Sequence, residues 1–532
     1  MVRLWIDELP VEVPAGTSVL AAARLSGSDL PALCYREGHP PNAACMGCLV
    51  RIEGRAGTVP SCATEVAEGM QVACETADLR TLRRTALELL LSDHEGDCRA
   101  PCQNTCPARM DIPAMLCLAA AGRRRAALAV VKRDIALPAT LGCVCPEVCE
   151  RLCRRRQIDQ PAAICRIKRF LAERDLRQAE PYVPPCAPPS GVRVAVVGSG
   201  PAGLAAAYHL LLAGHAAVLI EQRSVLGGRL RTEFSADQLP SGLLDAEIDG
   251  ILRLGAAARC GAQLGRDVSL ARLREDFAAV VLATGAEGGA ALAREGIAVV
   301  QARAVVDPRT QQTNQPGIFA AGGAVRPNPL VVKSVAAGKE AARAATCFLR
   351  GASPPSVASA FQVHRQPVDD RQAAALRAVA SEPRSEPAAW ATADEAAVRR
   401  QAARCLQCGC AAVDSCLLRR YAEAYACEPR RFQGAKRAWS PCLEHRQFQL
   451  DPGKCIQCGI CVQIAADLGE PIGLAFLGRG FDVRIGVPLD RGLDAALLRA
   501  GPACVDACPT GALARRIDDA APAHVDAPSR EA

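Results

Sequence analysis

The stretch from Val192 to Glu221 constrains the fold of this 532-residue chain more than any other. It begins with an apolar, β-branched run typical of a buried parallel strand, and a Gly198-Ser-Gly200-Pro-Ala-Gly203 turn then leads into an alanine- and leucine-rich helix. In such a turn the first glycine permits the bend, the second lets backbone approach a pyrophosphate, and the third lets helix pack on strand. A second strand ends at Glu221, where an acid accepts ribose hydroxyls. The pattern predicts a dinucleotide-binding unit.

Composition and charge exclude several classes of protein. The net charge is +7, and the 63 basic residues include only six lysines, so arginine dominates. The arginines occur in short runs without interleaved aromatic residues, which argues against nucleic-acid binding and permits docking of an acidic partner. No apolar signal core follows Met1, so we expect a cytoplasmic protein. The uncharged stretch from Val194 to Ile220 is long enough for a membrane span, but its glycine turn, His209 and His215 argue against one.

The chain contains 28 cysteines, which a reducing compartment keeps as free thiols available to metals. Most of them fall in bunches with two or three residues between neighbours. This spacing suits clusters held by single loops and predicts metal ligation in place of disulfides.

The first bunch lies in residues 1–80, after a predicted hairpin (Val2 to Ile6 with Val11 to Val13) and a predicted helix from Ser18 to Arg24. Its spacing is C-x10-C-x2-C-x13-C, with Gly47 inside the central pair. Together with the phrases VPAGTSVLAAA and EGMQV, it resembles the ferredoxin-like N-terminal domain of the complex I large iron-sulfur subunit and of iron-only hydrogenases. The resemblance implies a β-grasp fold and a [2Fe-2S] cluster, with zinc as the alternative. The implied ligands are Cys34, Cys45, Cys48 and Cys62.

Residues 81–185 contain a predicted amphipathic helix from Leu79 to Leu91 and two cysteine runs that each include a Cys-Pro corner. They resemble the helical iron-sulfur domain of the glutamate synthase small subunit and of dihydropyrimidine dehydrogenase. The resemblance implies two [4Fe-4S] clusters that draw ligands from both runs. One implied set is Cys106, Cys145, Cys149 and a residue near Cys165, and the other is Cys98, Cys102, Cys153 and one further ligand.

That further ligand is open, because the first run has three cysteines where the family has four. His94 is the favoured candidate, since relatives of complex I and hydrogenases place a histidine ligand three residues before a cysteine run. Cys143 and Cys117 are alternatives, and His94 can also be read as an exposed helix end. Cys165 lies on a predicted helix, where a core thiol is the alternative to ligation.

The flavin module spans residues 186–351 and resembles the glutamate synthase small subunit beyond the glycine turn. A Gly-Gly-Arg follows the acidic strand end, and VVLATG and PGIFAAGG follow later. The resemblance implies FAD. Its implied binding residues are Gly198, Gly200, Gly203, Glu221, Gly228, Arg229, Gly285 and Gly322. Gly323 stands where the family usually has an aspartate, so one flavin hydrogen bond is expected to be missing.

A second departure lies between Ala286 and Gln315. The family has a second glycine-rich nucleotide domain there, but 30 residues cannot form one, because a single βαβ unit takes about 30. We therefore expect that the chain alone does not bind NAD(P)H in the usual way.

Beyond this module, residues 352–400 are rich in proline, serine and scattered charge and predict a linker. Residues 401–532 begin with a compact four-cysteine run that resembles a recurrent module of flavin and iron-sulfur subunits. A [4Fe-4S] cluster is favoured there, and a structural zinc is the alternative. The run is Cys405, Cys408, Cys410 and Cys416.

The last cysteines resemble a two-cluster bacterial ferredoxin in which one cluster has been lost. Because such modules share ligands between their halves, three of the four ligands of one cluster fall on Ala465, Leu498 and Gly501. Cys504 is then expected to be a buried free thiol. The other cluster keeps Cys455, Cys458, Cys461 and Cys508.

The sequence as a whole predicts a multidomain α/β plus α+β protein: a β-grasp ferredoxin domain, a helical iron-sulfur domain, a Rossmann-like FAD domain without an inserted NAD(P) domain, and a C-terminal ferredoxin-like domain. No triad or carboxylate pair suggests hydrolysis, and no catalytic residue is predicted. The resemblances imply a flavin and iron-sulfur electron-transfer subunit of a larger oxidoreductase, whose partner is a dehydrogenase, hydrogenase or pyridine-nucleotide module. The alternatives are a self-sufficient NAD(P)H-dependent reductase and a redox-sensing or scaffold protein.

Overall fold

The structure, a computed structural model, describes residues 1–327, 330–352, 361–379, 382–386, 390, 392–432, 434–435, 437, 440 and 442–516. These residues form two compact units, and each unit combines segments that are distant in sequence. The first unit contains residues 1–99, 361–367 and 409–516, and the second contains residues 100–352 and 368–408. The predicted domain boundaries follow the chain order, so they differ from this division.

The first unit begins with a mixed sheet in the strand order β2-β1-β5-β3-β4. The predicted hairpin is confirmed, and β1 also pairs in parallel with β5. Ser18 caps the first helix by accepting a hydrogen bond from the N–H of Ala21 at 3.2 Å, and Leu4, Ile6 and Leu20 are buried beneath it. The elements are β1 (Val2–Ile6), β2 (Leu9–Val13), α1 (Val19–Leu25), β3 (Leu49–Ile52), β4 (Val59–Pro60), β5 (Gln71–Ala73) and α2 (Ala77–Ser92).

The second unit begins with a group of short helices whose apolar residues are buried against one another. Proline occurs in the first turn of three of them, where its missing N–H costs no hydrogen bond. The helices are α3 (Pro101–Thr105), α4 (Ile112–Ala120), α5 (Arg124–Asp134), α6 (Pro138–Val144), α7 (Val148–Arg151) and α8 (Ile164–Leu176).

A five-stranded sheet, parallel throughout, follows in the order β12-β9-β6-β7-β8. Its central strand is buried on both faces, which explains the continuous β-branched run in the sequence. The elements are β6 (Arg193–Val197), α9 (Pro201–Leu212), β7 (Ala216–Glu221), α10 (Ser241–Arg253), β8 (Ala257–Cys260), α11 (Leu270–Asp276), β9 (Ala279–Leu282), α12 (Gly289–Arg294), β10 (Val299–Val300), β11 (Arg303–Ala304), β12 (Ile318–Ala320) and α13 (Val331–Leu349).

The segment between residues 286 and 315, all of which is described, consists of a 3-10 turn, α12 and the β10–β11 hairpin. No βαβ unit is present among these described residues. The segment predicted as a linker contains α14 (Asp370–Val379) and α15 (Glu395–Ala402). Residues 353–360 of that linker lie outside the described residues.

The remainder of the first unit is a small α/β module with a three-stranded sheet, β13-β14-β17, and a separate β15–β16 hairpin. Among the described residues, no helix is both long and apolar enough to cross a membrane. The elements are α16 (Leu417–Ala424), β13 (Leu443–Glu444), β14 (Phe448–Leu450), α17 (Ile460–Asp467), β15 (Ala475–Leu477), β16 (Arg484–Gly486), α18 (Leu493–Ala496), α19 (Gly501–Ala507) and β17 (Leu513–Arg515).

Candidate functional site

The glycine turn after β6 has the geometry that its sequence predicts. Gly198 has φ +98°, and a Cβ there would lie 2.4 Å from the carbonyl oxygen of Ala283. A Cβ at Gly203 would lie 1.8 Å from the carbonyl oxygen of Gly198, so close packing of α9 on β6 excludes a side chain. At Gly200, in contrast, no atom lies within 4 Å of the Cβ position. The turn is therefore tight at its first and third glycines and open at its second, as a pyrophosphate cradle requires.

Glu221 ends β7 with its carboxylate buried beside this turn. One carboxylate oxygen accepts hydrogen bonds from the N–H and the hydroxyl of Ser199, at 2.9 and 2.6 Å. The other oxygen accepts from the N–H of Arg223 at 2.9 Å. An ionised carboxylate offers about four acceptor positions, so one remains for a ribose hydroxyl. Ser199 was not among the predicted residues, although its position inside the glycine turn could have indicated this role.

Other predicted flavin residues also lie at the start of α9. A Cβ at Gly228 would lie 2.7 Å from Cα of Gly200, and a Cβ at Gly322 would lie 2.7 Å from Cβ of Ala202. Gly285 has φ +76° and faces open space. The remaining one, Arg229, forms a 2.8 Å ion pair with Glu233.

Gly323, the position where the family has an aspartate, is contacted by Arg303, which was not among the predicted flavin-site residues. Its carbonyl accepts a hydrogen bond from the guanidinium of Arg303, at the start of β11. The residues present around the glycine turn fit an adenine dinucleotide: open backbone at Gly200, an uncapped helix N-terminus and an acid beside it.

The four N-terminal cysteines are buried around one loop. The N–H of Cys45 donates to Sγ of Cys34 at 3.4 Å, and the Cys45 thiol lowers the pKa of Cys34 to about 6 by hydrogen bonding. The thiol of Cys62 likewise lowers the pKa of Cys48 to about 6. A Cβ at Gly47 would lie 2.4 Å from the carbonyl oxygen of Pro31, which explains the glycine. In each pair, therefore, one thiol favours the thiolate form, while the same hydrogen bond raises the pKa of the donating thiol of Cys45 or Cys62.

In the second unit, Cys106, Cys145, Cys149 and Cys165 surround one buried lysine. The N–H of Cys165 donates to the Glu150 carboxylate at 3.0 Å, and its thiol is hydrogen-bonded with those of Cys145 and Cys149. Lys168 is only 3% exposed. Burial opposes its charge, but the four neighbouring thiols raise its pKa above the ordinary value.

A second group of thiols in this unit consists of Cys102, Cys153, Cys405 and Cys408. Burial raises the pKa of the Cys102 thiol well above its ordinary value, and the neighbouring Cys405, Cys153 and Cys408 raise it further. Burial likewise raises the pKa of the Cys405 thiol well above its ordinary value, and its neighbours Cys408, Cys153 and Cys117 raise it further. Half of the compact C-terminal run therefore lies with cysteines of the helical segment.

The other half of that run lies in the first unit with Cys98. The N–H of Cys410 donates to the carbonyl of Cys98 at 3.1 Å, and the N–H of Val363 donates to Sγ of Cys98 at 3.3 Å. Sγ of Cys416 accepts from the N–H of Arg419 at 3.4 Å. His94 follows the end of α2, where its N–H donates to the carbonyl of Leu91.

In the C-terminal module, Cys455, Cys458, Cys461 and Cys508 line one largely apolar cavity. Two of these sulfurs accept backbone hydrogen bonds: Cys455 from Gln457 at 3.4 Å and Cys508 from Leu513 at 3.5 Å. Such N–H to sulfur bonds are a feature that tunes iron-sulfur clusters.

The neighbouring position, where the second ferredoxin cluster was expected to be lost, is filled by side chains. Cys504 is fully buried, and its thiol donates to the carbonyl of Cys461 at 3.6 Å. A Cβ at Gly501 would lie 2.3 Å from the ring of Phe448, Ala465 is buried, and Leu498 is 57% exposed. Of these four residues, only Cys504 has a side chain that could bind iron.

The donor sets are rich in thiols, which is the chemistry that iron-sulfur clusters require. Within the described part of the chain, no three His, Cys, Asp or Glu side chains converge on one point as ligands of a single metal ion do.

Three domain families match this chain. Residues 1–77 match a 2Fe-2S iron-sulfur cluster binding domain, residues 96–180 match dihydropyrimidine dehydrogenase domain II with a 4Fe-4S cluster, and residues 196–249 match an NAD(P)-binding Rossmann-like domain. The matches confirm the predicted [2Fe-2S] and [4Fe-4S] domains, and the Rossmann-like match agrees with the predicted FAD.

Similar proteins include the beta subunits of a formate dehydrogenase and of an NADPH-Fe(3+) oxidoreductase. The chain is 36% identical over 207 residues to the NADP(+)-dependent formate dehydrogenase subunit beta of Moorella thermoacetica, covering 35% of this chain and 29% of that protein. It is 35% identical over 200 residues to the NADPH-Fe(3+) oxidoreductase subunit beta of Geobacter sulfurreducens, covering 37% and 30%.

A third relative is the glutamate synthase (NADPH) small chain of Mycobacterium tuberculosis, 35% identical over 213 residues, with 40% of this chain and 42% of that protein covered. The predicted resemblance to the glutamate synthase small subunit is confirmed. The chain spans less than a third of the length of the first two relatives.

Proposed function

We propose that this chain is the flavin and iron-sulfur electron-transfer subunit of a multi-subunit oxidoreductase. The observation that carries the proposal is the presence, in one compact unit, of an open dinucleotide cradle at Gly200 and two groups of buried or half-buried cysteines. A flavin accepts two electrons together and passes them singly to clusters, so the two kinds of site complement each other.

In this proposal the chain comprises a β-grasp [2Fe-2S] domain, a helical [4Fe-4S] domain, a Rossmann-like FAD domain without the inserted NAD(P) domain, and a C-terminal ferredoxin-like domain. Three ligand sets follow from the cysteine groups. They are Cys34, Cys45, Cys48 and Cys62; Cys106, Cys145, Cys149 and Cys165; and Cys455, Cys458, Cys461 and Cys508.

The chain's own residues have distinct tasks at these sites. The backbone around Gly200 and the N–H groups at the start of α9 hold the pyrophosphate, and Glu221 orients the ribose. Burial of the cysteines keeps water from the clusters, and the backbone N–H groups that face Cys455 and Cys508 stabilise negative charge on sulfur.

A partner is part of the proposal because residues 286–315 do not form a second nucleotide domain. The substrate chemistry then belongs to a dehydrogenase, hydrogenase or pyridine-nucleotide module, and two relatives carry names of beta subunits of such enzymes. A self-sufficient NAD(P)H-dependent reductase and a redox-sensing or scaffold protein are the competing functions. The cytoplasmic location stays a prediction.

The test compares two glycines that both face open space. Gly200 has φ −65°, which any residue adopts, so Gly200→Leu should fold but fill the pyrophosphate position. Gly242→Leu, in α10, is the matched control. We expect the wild type and the control to retain about one FAD per chain and Gly200→Leu to lose it, with unchanged iron content. Full FAD retention by Gly200→Leu would contradict the flavin site.

The need for a partner is tested by mixing the purified chain with stoichiometric NADPH under anaerobic conditions. We expect the flavin absorbance to persist in the chain alone and to bleach when a viologen dye or a native partner delivers electrons. Rapid bleaching by NADPH alone would favour the self-sufficient reductase, and no bleaching with any donor would favour the scaffold.

A further inference from the structure

We propose that the Cys405-x2-Cys408-Gly-Cys410-x5-Cys416 run binds no cluster of its own and is divided between two [4Fe-4S] sites. Cys405 and Cys408 complete a site with two cysteines of the helical segment. The inference rests on the proposed function, because it assigns ligands to clusters that the proposed function requires.

The first site consists of Cys102, Cys153, Cys405 and Cys408. All four lie in the second unit, and the helical segment by itself supplies only the first two. Helix α3, which carries Cys102, packs against α7, and Cys153 follows α7 by two residues. The other two ligands, Cys405 and Cys408, are therefore supplied by the C-terminal end of the unit.

A buried guanidinium fixes Cys405 beside Cys153. Arg404 is 1% exposed, and it donates to the carboxylate of Asp159 at 3.0 Å and to the carbonyl of Gln160 at 2.9 Å. Arg155 pairs with the same Asp159 and donates to the carbonyl of Arg404 at 3.4 Å. Cys405 directly follows Arg404 and Cys153 lies two residues before Arg155, so one hydrogen-bonded network lies next to both cysteines in the chain.

The loop between Cys405 and Cys408 is fixed separately. Gln407 has φ +48°, a left-handed conformation, and its side-chain amide donates to the carbonyl of Pro113 at 3.2 Å. Helix α15, which precedes the loop, packs against α4 and α8. Both cysteines of the C-x2-C therefore face the helical segment.

The second site consists of His94, Cys98, Cys410 and Cys416, all in the first unit. The backbone bond from Cys410 to Cys98 and the Val363 N–H on Sγ of Cys98 hold two of the thiols in place. The thiols of Cys410 and Cys98 are among the neighbours of the Cys416 thiol.

His94 belongs to this second site by position. The segment that joins His94 to Cys98 is fixed by a hydrogen bond of 2.7 Å from the backbone N–H of Glu95 to the carbonyl of Gly453. Lys454 packs on Gly96 and donates to the carbonyl of Gly409, the residue before Cys410. With this division each site has four ligands.

The experiment uses the full chain reconstituted anaerobically and follows the EPR spectrum of the dithionite-reduced protein together with iron and FAD content. The variants are Cys153→Ser, Cys405→Ser, Cys98→Ser and Cys416→Ser, with Cys260→Ser, an exposed thiol, as the control. We expect the first two to remove one and the same signal and the next two to remove a different one. The double variant of Cys153 and Cys405 should lose about four irons, as each single variant does, and not about eight.

The inference is overturned if Cys405→Ser and Cys416→Ser remove one common signal while the signal lost in Cys153→Ser persists. It is also overturned if the run holds zinc while the other clusters are present, and in that case the proposed function stands. A reconstituted chain without any iron-sulfur signal overturns the proposed function and this inference together. If Cys153→Ser does not fold, Cys102→Ser and Cys408→Ser make the same comparison.

Discussion

The N-terminal loop, with four buried thiols, and the proposed site around Cys405, with one buried and three half-buried thiols, gather their cysteines in opposite ways. In the loop, one short segment from Cys34 to Cys62 supplies every thiol, and local hydrogen bonds such as Cys45 to Cys34 hold them. Around Cys405, the thiols come from residues 102, 153, 405 and 408, and a buried Arg404 connects the segments. A local site depends on its loop, whereas a dispersed site depends on the packing of the whole unit.

This difference links cluster assembly to folding. Metal binding at a site that does not exist in the unfolded chain contributes directly to folding free energy. A dispersed cluster would therefore tie the C-terminal run to the helical segment, as a long-range cross-link does. The predictions below test this contrast, beginning with the largest expected effect.

Replacement of Arg404 should abolish the dispersed cluster while sparing the local one. Arg404→Met removes the hydrogen bonds to Asp159 and Gln160, so we expect the unfolding free energy to fall by about 2 kcal/mol and iron to fall by about four atoms. Denaturant titration and iron analysis measure both. Arg400→Met, on helix α15 that ends just before Arg404, is the control, since its ion pair with Glu382 is exposed and worth about 0–1 kcal/mol. An intact dispersed signal in Arg404→Met would contradict the anchoring role.

The C-terminal module provides a second local site, and Cys508→Ala should empty it. Cys508 lines the same cavity as Cys455, Cys458 and Cys461, and each of these four thiolates would bind one iron of a [4Fe-4S] cluster. We expect a loss of about four irons and of one EPR signal in the full chain, with the [2Fe-2S] signal unchanged. Retention of all iron in this variant would show that the module does not bind a cluster through Cys508.

Much of the fold could be predicted from sequence where the determinants are local. The alternation from Val2 to Ile6, the helix that follows Ser18 and the glycine turn at Gly198 each depend on neighbouring residues, and the structure contains all three elements. The absence of ferredoxin ligands at Leu498 and Gly501 could likewise be predicted from local sequence spacing.

The grouping of cysteines could not be predicted in this way. Spacing suggested that Cys405 to Cys416 form one set, because neighbours in sequence usually share a loop. Whether Cys405 lies near Cys153 depends on a buried arginine and on how α15 packs, and neither has a local signal. The contact between Arg303 and the carbonyl of Gly323 likewise joins two elements that are distant in sequence.

A charged side chain next to a cluster should change the midpoint potential of the cluster without preventing its binding. Lys168 is buried among the four thiols of the Cys106 set, so its positive charge stabilises the reduced cluster. Lys168→Met should lower the midpoint potential of that cluster, by ~59 mV for each tenfold change in its reduction equilibrium. EPR-monitored redox titration measures the shift. Lys454→Met is the control, since that lysine pairs with Asp451 at 2.9 Å and faces Cys410. Equal shifts of the same EPR signal in both variants would contradict the assignment of Lys168 to the cluster of the Cys106 set.

The smallest effect is expected at Cys504, which is more deeply buried than the proposed ligands of the module but has no complete set of cysteines around it. Its thiol donates to the carbonyl of Cys461, and the space near it is filled by Phe448 and Ala465. Cys504→Ala should therefore leave iron and every EPR signal unchanged and lower the unfolding free energy by about 1 kcal/mol through the small cavity that it creates. Iron analysis beside Cys508→Ala makes the comparison direct. A loss of about four irons in Cys504→Ala, with none in Cys508→Ala, would mean that Cys504, and not Cys508, binds the cluster of this module.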